Sequence, residues 1–317
     1  MKCAVIYFSQ TGNTEKIARA VHAGVKDAAG HDDLLRIKDA HPRRLRAYDL
    51  IGIGSPVFGY REAPNVAAFI EEMRFVGGKH VFAFATHGTH GEYFPSSIIP
   101  KLKGRGMVVL GVRHWYGNTY IPGAPDPYPT AGHPDEIDRQ EAEAFGREMA
   151  ELSRRLYAGE AVPIPPLPEP PEIDLETMLA NLHRIEKERG AEFAHGQTAR
   201  YNKAECLYPK CHLCMDNCPM DGINLTVDPP VIGQPCMHCM FCSKICPTGA
   251  MDHLFFSDTP AEKTWKVVPE FHLDQLARDE AAGRFRRLVP VDKIGLKTPY
   301  YVNHHQRPWW IIGKGLQ

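Results

Sequence analysis

No apolar run in this 317-residue chain approaches the roughly 20 residues that a membrane-crossing helix needs. The formal net charge is only −1, so no bulk field draws nucleic acid or an anionic membrane. The opening Met1-Lys2-Cys3-Ala4-Val5-Ile6-Tyr7 lacks a secretory shape and reads straight into a strand. A Gly-Lys-Ser/Thr phosphate loop is missing, as is a Gly-x-Gly-x-x-Gly dinucleotide turn. No nucleophile and base stand in a hydrolase-like arrangement. These absences argue for a soluble, cytoplasmic protein that binds neither nucleic acid nor membrane and whose chemistry comes from a bound group.

Cysteine is nearly absent outside one region. Eight of the nine lie between Cys206 and Cys246. The second run is Cys236-x2-Cys239-x2-Cys242-x3-Cys246-Pro247; the first is Cys206-x4-Cys211-x2-Cys214-x3-Cys218-Pro219. The second has the spacing of the bacterial ferredoxin run, in which three cysteines hold one [4Fe–4S] cluster and the fourth reaches the other. The first departs from it only by two extra residues in its first gap. Crossed ligation follows: Cys236, Cys239 and Cys242 with Cys218, and Cys211, Cys214 and Cys246 with Cys206. Disulfides would need an oxidising compartment. A zinc site more often takes two Cys-x2-Cys pairs than three cysteines at three-residue steps. Cys3, alone in an apolar strand, reads as a buried structural thiol. Met215, Met220, Met237 and Met240, between the ligands, read as an apolar shell, and His212 and His238 as surface or supporting residues. Apart from these two runs the chain has no repeat.

Residues 1–159 alternate strand and helix. Near-continuous apolar runs at 2–8, 48–54, 80–86 and 107–114, with a shorter one at 34–37, read as buried strands. Helical patterns at 14–29, 64–75, 93–102 and 134–157 separate or follow them. This predicts a doubly wound parallel sheet of five strands. Residues 160–172 hold six prolines and form a stiff linker. A connecting helix is expected within 173–199, the cysteine domain at 200–252, and an extension at 253–317. That extension carries a helical pattern at 273–287 and the aromatic residues Tyr300, Tyr301, Trp309 and Trp310. The aromatic group reads as packing, with partner docking the sharper alternative.

Ligands of such a sheet sit at the carboxyl ends of its strands. After the first strand comes Ser9-Gln10-Thr11-Gly12-Asn13-Thr14, a hydroxyl-rich turn at a helix start without a lysine or arginine. Free backbone N–H groups and hydroxyls there suit a single phosphate monoester; the plain alternative is a capped helix. This loop resembles the FMN-phosphate loop of flavodoxins. Ser55-Pro56-Val57-Phe58-Gly59-Tyr60 resembles the second flavodoxin loop, which lines the flavin ring, and Thr86-His87-Gly88-Thr89-His90-Gly91 lies where the third belongs. Phe58 and Tyr60 are candidate stacking residues; Tyr93, Trp115 and Tyr116 are weaker ones. His87 and His90 read as solvated loop residues, with tuning of the reduced ring as the sharper alternative.

The two resemblances together identify the chain as similar to flavodoxin–ferredoxin fusions: a flavodoxin-like α/β domain plus a small α+β two-cluster ferredoxin-like domain. That family implies FMN, two [4Fe–4S] clusters and electron transfer between one- and two-electron partners. The expected partners are redox proteins, either a ferredoxin-type donor or an acceptor enzyme, in a homo-oligomer or a larger complex. Two other functions stay open: a flavin-dependent reductase fed through the clusters, and an electron-transfer subunit of a redox complex.

Overall fold

The computed structural model describes residues 1–119, 127–188, 199–252 and 272–294. The aromatic group at 300–310 lies outside them. The chain divides into two compact units. The first comprises Met1–Thr119, Pro129–Leu179 and Gln275–Val289; the second takes Tyr120–Tyr128, Ala180–Asp274 and Pro290–Gln317.

The first unit is built on a parallel sheet. Its strands are β1 (Lys2–Tyr7), β2 (His31–Arg36), β3 (Leu50–Phe58), β5 (His80–His87) and β6 (Val108–Tyr116), in the order β2-β1-β3-β5-β6. A two-residue antiparallel strand, β4 (Arg61–Glu62), folds back on β3 as a sixth member. Helices α1 (Asn13–Lys26), α2 (Pro64–Glu72), α3 (Tyr93–Gly104) and α4 (Glu136–Tyr157) complete the alternation. Every residue of β5 is buried, as expected of a central parallel strand covered on both faces. The strand ends run further than the apolar pattern does. β3 continues through Ser55–Phe58, so most of the second expected loop is strand that turns at Gly59-Tyr60. β6 continues through Trp115 and Tyr116.

One layer of the core packs Val5, Ile17, Val21, Phe82, Phe84, Leu110, Trp115, Phe145 and Met149. Within it α1 and α4 touch backbone to backbone. A Cβ on Gly24 would fall 1.9 Å from the Glu143 carbonyl oxygen, and one on Gly146 would fall 2.1 Å from that of Val21. Only glycine permits this approach. Asp135 caps α4: its side chain accepts from Asp138 N–H, and the Asp138 carboxylate accepts from Asp135 N–H.

The segment 275–289 returns to this unit from beyond the cysteine region. Residues 275–281 are helical, and Leu276 and Phe285 pack on Tyr116. Tyr116 Oη donates to Asp279 Oδ2 at 2.5 Å. Arg286 grips Asp135 with two nitrogens at 2.7 and 2.8 Å and reaches Asp138 at 2.9 Å. That pairing holds the Asp135 carboxyl well below the usual carboxylate range. His133 fills the remaining space. Its Nδ1 faces Asp138 Oδ2 at 2.5 Å and its Nε2 faces the Arg286 carbonyl oxygen at 2.8 Å. Both partners accept, so both ring nitrogens carry protons and His133 is held as the cation. Burial lowers its pKa and the Arg286 charge lowers it further. The hydrogen bonds to Asp138 and to the Arg286 carbonyl, with the Asp138 charge, outweigh them and raise it. The Tyr116 and Phe285 rings lie 6.1 and 5.7 Å away.

In the second unit the described elements are small. Strands β7 (Arg200–Tyr201) and β10 (Met251–Asp252) pair antiparallel, as do β8 (Ile223–Asn224) and β9 (Val231–Ile232). Helices α6 (Leu213–Asp216) and α7 (Phe241–Ile245) carry cysteines. The buried residues there are few: Ala199, Cys214, Ile223, Leu225 and Met251 in one group, Phe241 and Ile245 in another. Helix α5 (Leu175–Glu188) occupies the expected connecting stretch, its start capped by Asp174, which accepts from Thr177 N–H. No helix among the described residues is long and apolar enough to cross a membrane.

Because the folded pKa of His133 lies above the ordinary value of about 6.5, its stabilisation is complete below pH ~6.5 and is lost as pH rises through the raised value. The melting temperature of the protein is expected to fall across that window, and His133→Gln to flatten the slope. Thermal melts of both proteins from pH 5 to 9 check this; equal slopes would refute it.

Candidate functional site

The three expected loops converge at the carboxyl edge of the sheet and are tied to one another. Phe8 N–H donates to the Gly54 carbonyl at 3.0 Å, joining the first loop to β3. Thr14 and Thr86 share a buried hydrogen bond of 2.7 Å, joining it to the third. Asn13 Nδ2 donates to the Asn118 carbonyl at 2.7 Å, bringing in the loop after β6.

These ties assign the polar groups of the first loop. Thr14 points into the interior, and Asn13 Nδ2 donates to the Asn118 carbonyl and, at 3.5 Å, to Thr11 Oγ1. Gly12, at φ +90°, is the N-cap of α1, and no side chain caps the helix. The capped-helix alternative therefore fails at its own cap position. Ser9 Oγ and Gln10 Nε2 are buried without a hydrogen-bond partner, and an unpaired buried donor calls for an acceptor. A helix start with free N–H groups, two orphaned side-chain donors, the Thr11 hydroxyl and no cation suits a phosphate monoester.

At the second loop, Ser55 is wholly buried and structural. Its hydroxyl donates to the Pro56 carbonyl and accepts from Ala63 N–H. Pro56, Val57 and Phe58 are half-buried, and Phe58 meets Phe8 edge-on at 6.5 Å. Gly59 and Tyr60 both take positive φ, 53° and 69°, the pairing a tight two-residue hairpin needs. Tyr60 is held there against its preference, its ring edge-on to His90 at 5.5 Å and to Tyr93 at 6.3 Å. The hairpin is anchored where Lys101 Nζ lies 2.7 Å from the buried Glu62 carboxylate.

The third loop departs most from expectation. His87 and His90 are each 6 % exposed and are not solvated. His90 Nδ1 lies 2.9 Å from Glu92 Oε1. His87 Nε2 lies 2.9 Å from His114 Nδ1, and Gly91 packs so tightly on this pair that a Cβ would come within 2.7 Å of both rings. Burial drives the pKa of His87 well below its ordinary value and also lowers that of His114, so both rings are neutral and one N–H···N hydrogen bond joins them. Thr89 is buried. Among the weaker candidates, Tyr93 stays beside Tyr60. Trp115 belongs to the core, with Nε1 donating to Glu141, and Tyr116 is buried under 275–289. His114 and Asn118 are site residues that motif reading missed. The rule that ligands meet strand ends would have directed attention to the end of β6.

The eight clustered cysteines are free thiols and sort into two groups of four. Cys218, Cys236, Cys239 and Cys242 line one pocket, walled by Met220, Met237 and Met240. Cys206, Cys211, Cys214 and Cys246 line another, walled by Leu207, Leu213 and Leu225. Each group takes members from both runs. The longer Cys206–Cys211 gap accommodates a turn in which Lys210 N–H donates to the Leu207 carbonyl. Backbone N–H groups point at sulfur: Gly222 to Cys218 and His238 to Cys236 at 3.3 Å, Tyr208 to Cys206 and Met251 to Cys246 at 3.4 Å. Burial, with neighbouring sulfurs adding to it, pushes the Cys214 and Cys242 thiols up to about 12. Such sites stay protonated until a metal replaces the proton. Four sulfurs around an apolar pocket with N–H donors fit a [4Fe–4S] cluster. Cys3 is buried in β1, and burial pushes its thiol to about 12, as an inert core thiol requires.

Residues 4–92 match the family described as "Flavodoxin domain". The N-terminal half of the chain is flavodoxin-like in fold, with the parallel strand order β2-β1-β3-β5-β6. It is 24 % identical over 151 residues to a flavodoxin of Clostridium beijerinckii, covering 47 % of this chain and 99 % of that one. Over 196 residues it is 29 % identical to an NAD(P)H dehydrogenase (quinone) of Azorhizobium caulinodans, covering 49 % and 98 %. A separate match, 38 % identical over 48 residues, is to an uncharacterised ferredoxin of Methanocaldococcus jannaschii, covering 14 % of this chain and 77 % of that one. A flavodoxin domain implies FMN and electron transfer.

The Thr14–Thr86 tie allows a direct test. Thr14→Val leaves the Thr86 hydroxyl buried and unpaired and is expected to cost about 1–3 kcal/mol. Thr86→Val added to it should recover part of that loss. Urea unfolding of the two variants checks this, and a double variant less stable than the single would refute it.

Proposed function

We propose that this chain is an electron carrier with FMN at the flavodoxin edge and two [4Fe–4S] clusters in residues 200–252. The observation that carries the reading is the sorting of eight free cysteines into two fours around two apolar cavities. The short ferredoxin match supports it. Bound FMN supplies one- or two-electron exchange and the clusters one-electron exchange. The chain's own part is to hold and shield these groups. Ser9, Gln10, Thr11 and the N–H groups of the first loop bind the phosphate, while Phe58 and Tyr60 bound the ring. The neutral His87–His114 pair keeps fixed charge away from it. The methionine and leucine walls exclude water from the clusters, which helps set their potentials. The partners are then redox proteins that deliver or take single electrons.

The relative described as an NAD(P)H dehydrogenase (quinone) favours a second reading, in which an organic acceptor is reduced at the flavin. An anaerobic mix of the reconstituted protein with NADH or NADPH separates the two, once iron and FMN have been counted. Bleaching by a nicotinamide donor alone would make the chain an oxidoreductase in its own right. Reduction only by a low-potential one-electron donor leaves a carrier. Protein that takes up neither iron nor FMN would overturn both readings.

The sorting predicts crossed effects. Cys218→Ser is expected to lose about half the iron and the signal that Cys239→Ser also loses, although the two residues lie in different runs. Cys211→Ser should remove the other signal. Iron analysis and low-temperature electron paramagnetic resonance of the three variants check this.

A further inference from the structure

The cavity lined by Cys206, Cys211, Cys214 and Cys246 has side-chain donors as well as backbone ones. Strands β7 and β10 pair Tyr201 with Met251. Met251 N–H donates to Cys246 Sγ, and across the pair the Tyr201 hydroxyl hydrogen-bonds Cys206. Thr248 Oγ1 accepts from Ala250 N–H at 3.4 Å and lies 3.8 Å from Cys246 Sγ. Its lone pair is engaged by Ala250, and a ligating thiolate has no proton to give, so the Thr248 hydroxyl donates to sulfur. Cys206 and Cys246 thus each receive one backbone N–H and one hydroxyl. At the other cavity, the donors placed on Cys218 and Cys236 are backbone N–H groups.

Building on the two-cluster reading, we propose that the Tyr201 and Thr248 hydroxyls raise the reduction potential of the cluster held by Cys206, Cys211, Cys214 and Cys246. One-electron reduction adds negative charge that spreads onto the ligand sulfurs. A donor aimed at sulfur binds the reduced state more strongly than the oxidised one, so it favours uptake of the electron. The lining side chains Leu213 and Leu225 are apolar, and a hydrogen bond is stronger in such surroundings than in water. Neither residue is a ligand, and both can be stripped of the hydroxyl with little change of shape. They are positioning residues acting through Cys206 and Cys246.

The test is an anaerobic redox titration of the full-length, iron-replete protein followed by electron paramagnetic resonance, with the relevant wave assigned by its loss in Cys211→Ser. Tyr201→Phe combined with Thr248→Val is expected to make that cluster harder to reduce by about tenfold in the equilibrium constant, about 59 mV for one electron. The wave of the other cluster should stay in place. Thr248→Ser, which keeps the hydroxyl, should titrate like the parent. If Tyr201→Phe loses iron, the Thr248→Val and Thr248→Ser pair decides alone. Full iron with an unmoved wave overturns the tuning role, as does loss of iron from every variant, which would make the hydroxyls structural. Parent protein that binds no iron would instead overturn the two-cluster reading on which this rests.

Discussion

All five parallel strands of the first unit end on the same side, and the loops there must hold one another without a cation. That constraint governs the site. Three hydrogen bonds meet it: Phe8 to Gly54, Thr14 to Thr86, and Asn13 to Asn118. Each joins the first loop to a different strand end, and each uses a neutral group. The consequence is a division of labour within six residues. Thr14 and Asn13 fix the loop, which leaves Ser9, Gln10 and Thr11 for a ligand. A lysine would bind phosphate more strongly as a point charge, but it would also place a fixed positive field beside the ring. The third loop follows the same logic, since its buried His87 is neutral and hydrogen-bonded to His114.

The cysteine region solves a different problem. Among its described residues few are buried, as in most domains of this size. Sulfur takes the place that leucine and valine hold in the first unit. The short helices and two-residue strands have little regular structure to offer by themselves. They bring Cys214 and Cys242 inward and aim N–H groups at sulfur. Under the proposed two-cluster reading, metal binding and folding would be one process in this region.

Local patterns revealed what depends on neighbours in sequence. Near-continuous apolar runs marked the buried strands because both faces of the sheet are covered. Cysteine spacing marked the four-and-four sorting because it matches the bacterial ferredoxin run, in which the last cysteine of each run crosses to the other group. What stayed hidden depends on distant residues. The burial of His87 follows from His114 on the next strand and from Gly91 folding over both rings, while the bare motif Thr86-His87-Gly88 reads as a polar loop. Trp115 and Tyr116 read equally well as ring contacts until Phe145 and Asp279 claim them. The return of 275–289 rests on Arg286 and Asp135, 151 residues apart, and no periodicity can announce that pairing.

The return segment also bears on the order of synthesis. Residues 275–289 belong to the same compact unit as residues 1–119, yet they leave the ribosome after the cysteine region. Domains fold as they emerge, N-terminal parts first. Here the sheet can form early, but Tyr116, Asp135 and Asp138 wait for Asp279 and Arg286. During that interval the eight thiols are already outside the ribosome, while the flavodoxin unit is still missing its last strap. The chain thus exposes its eight clustered cysteines before it closes its own first unit.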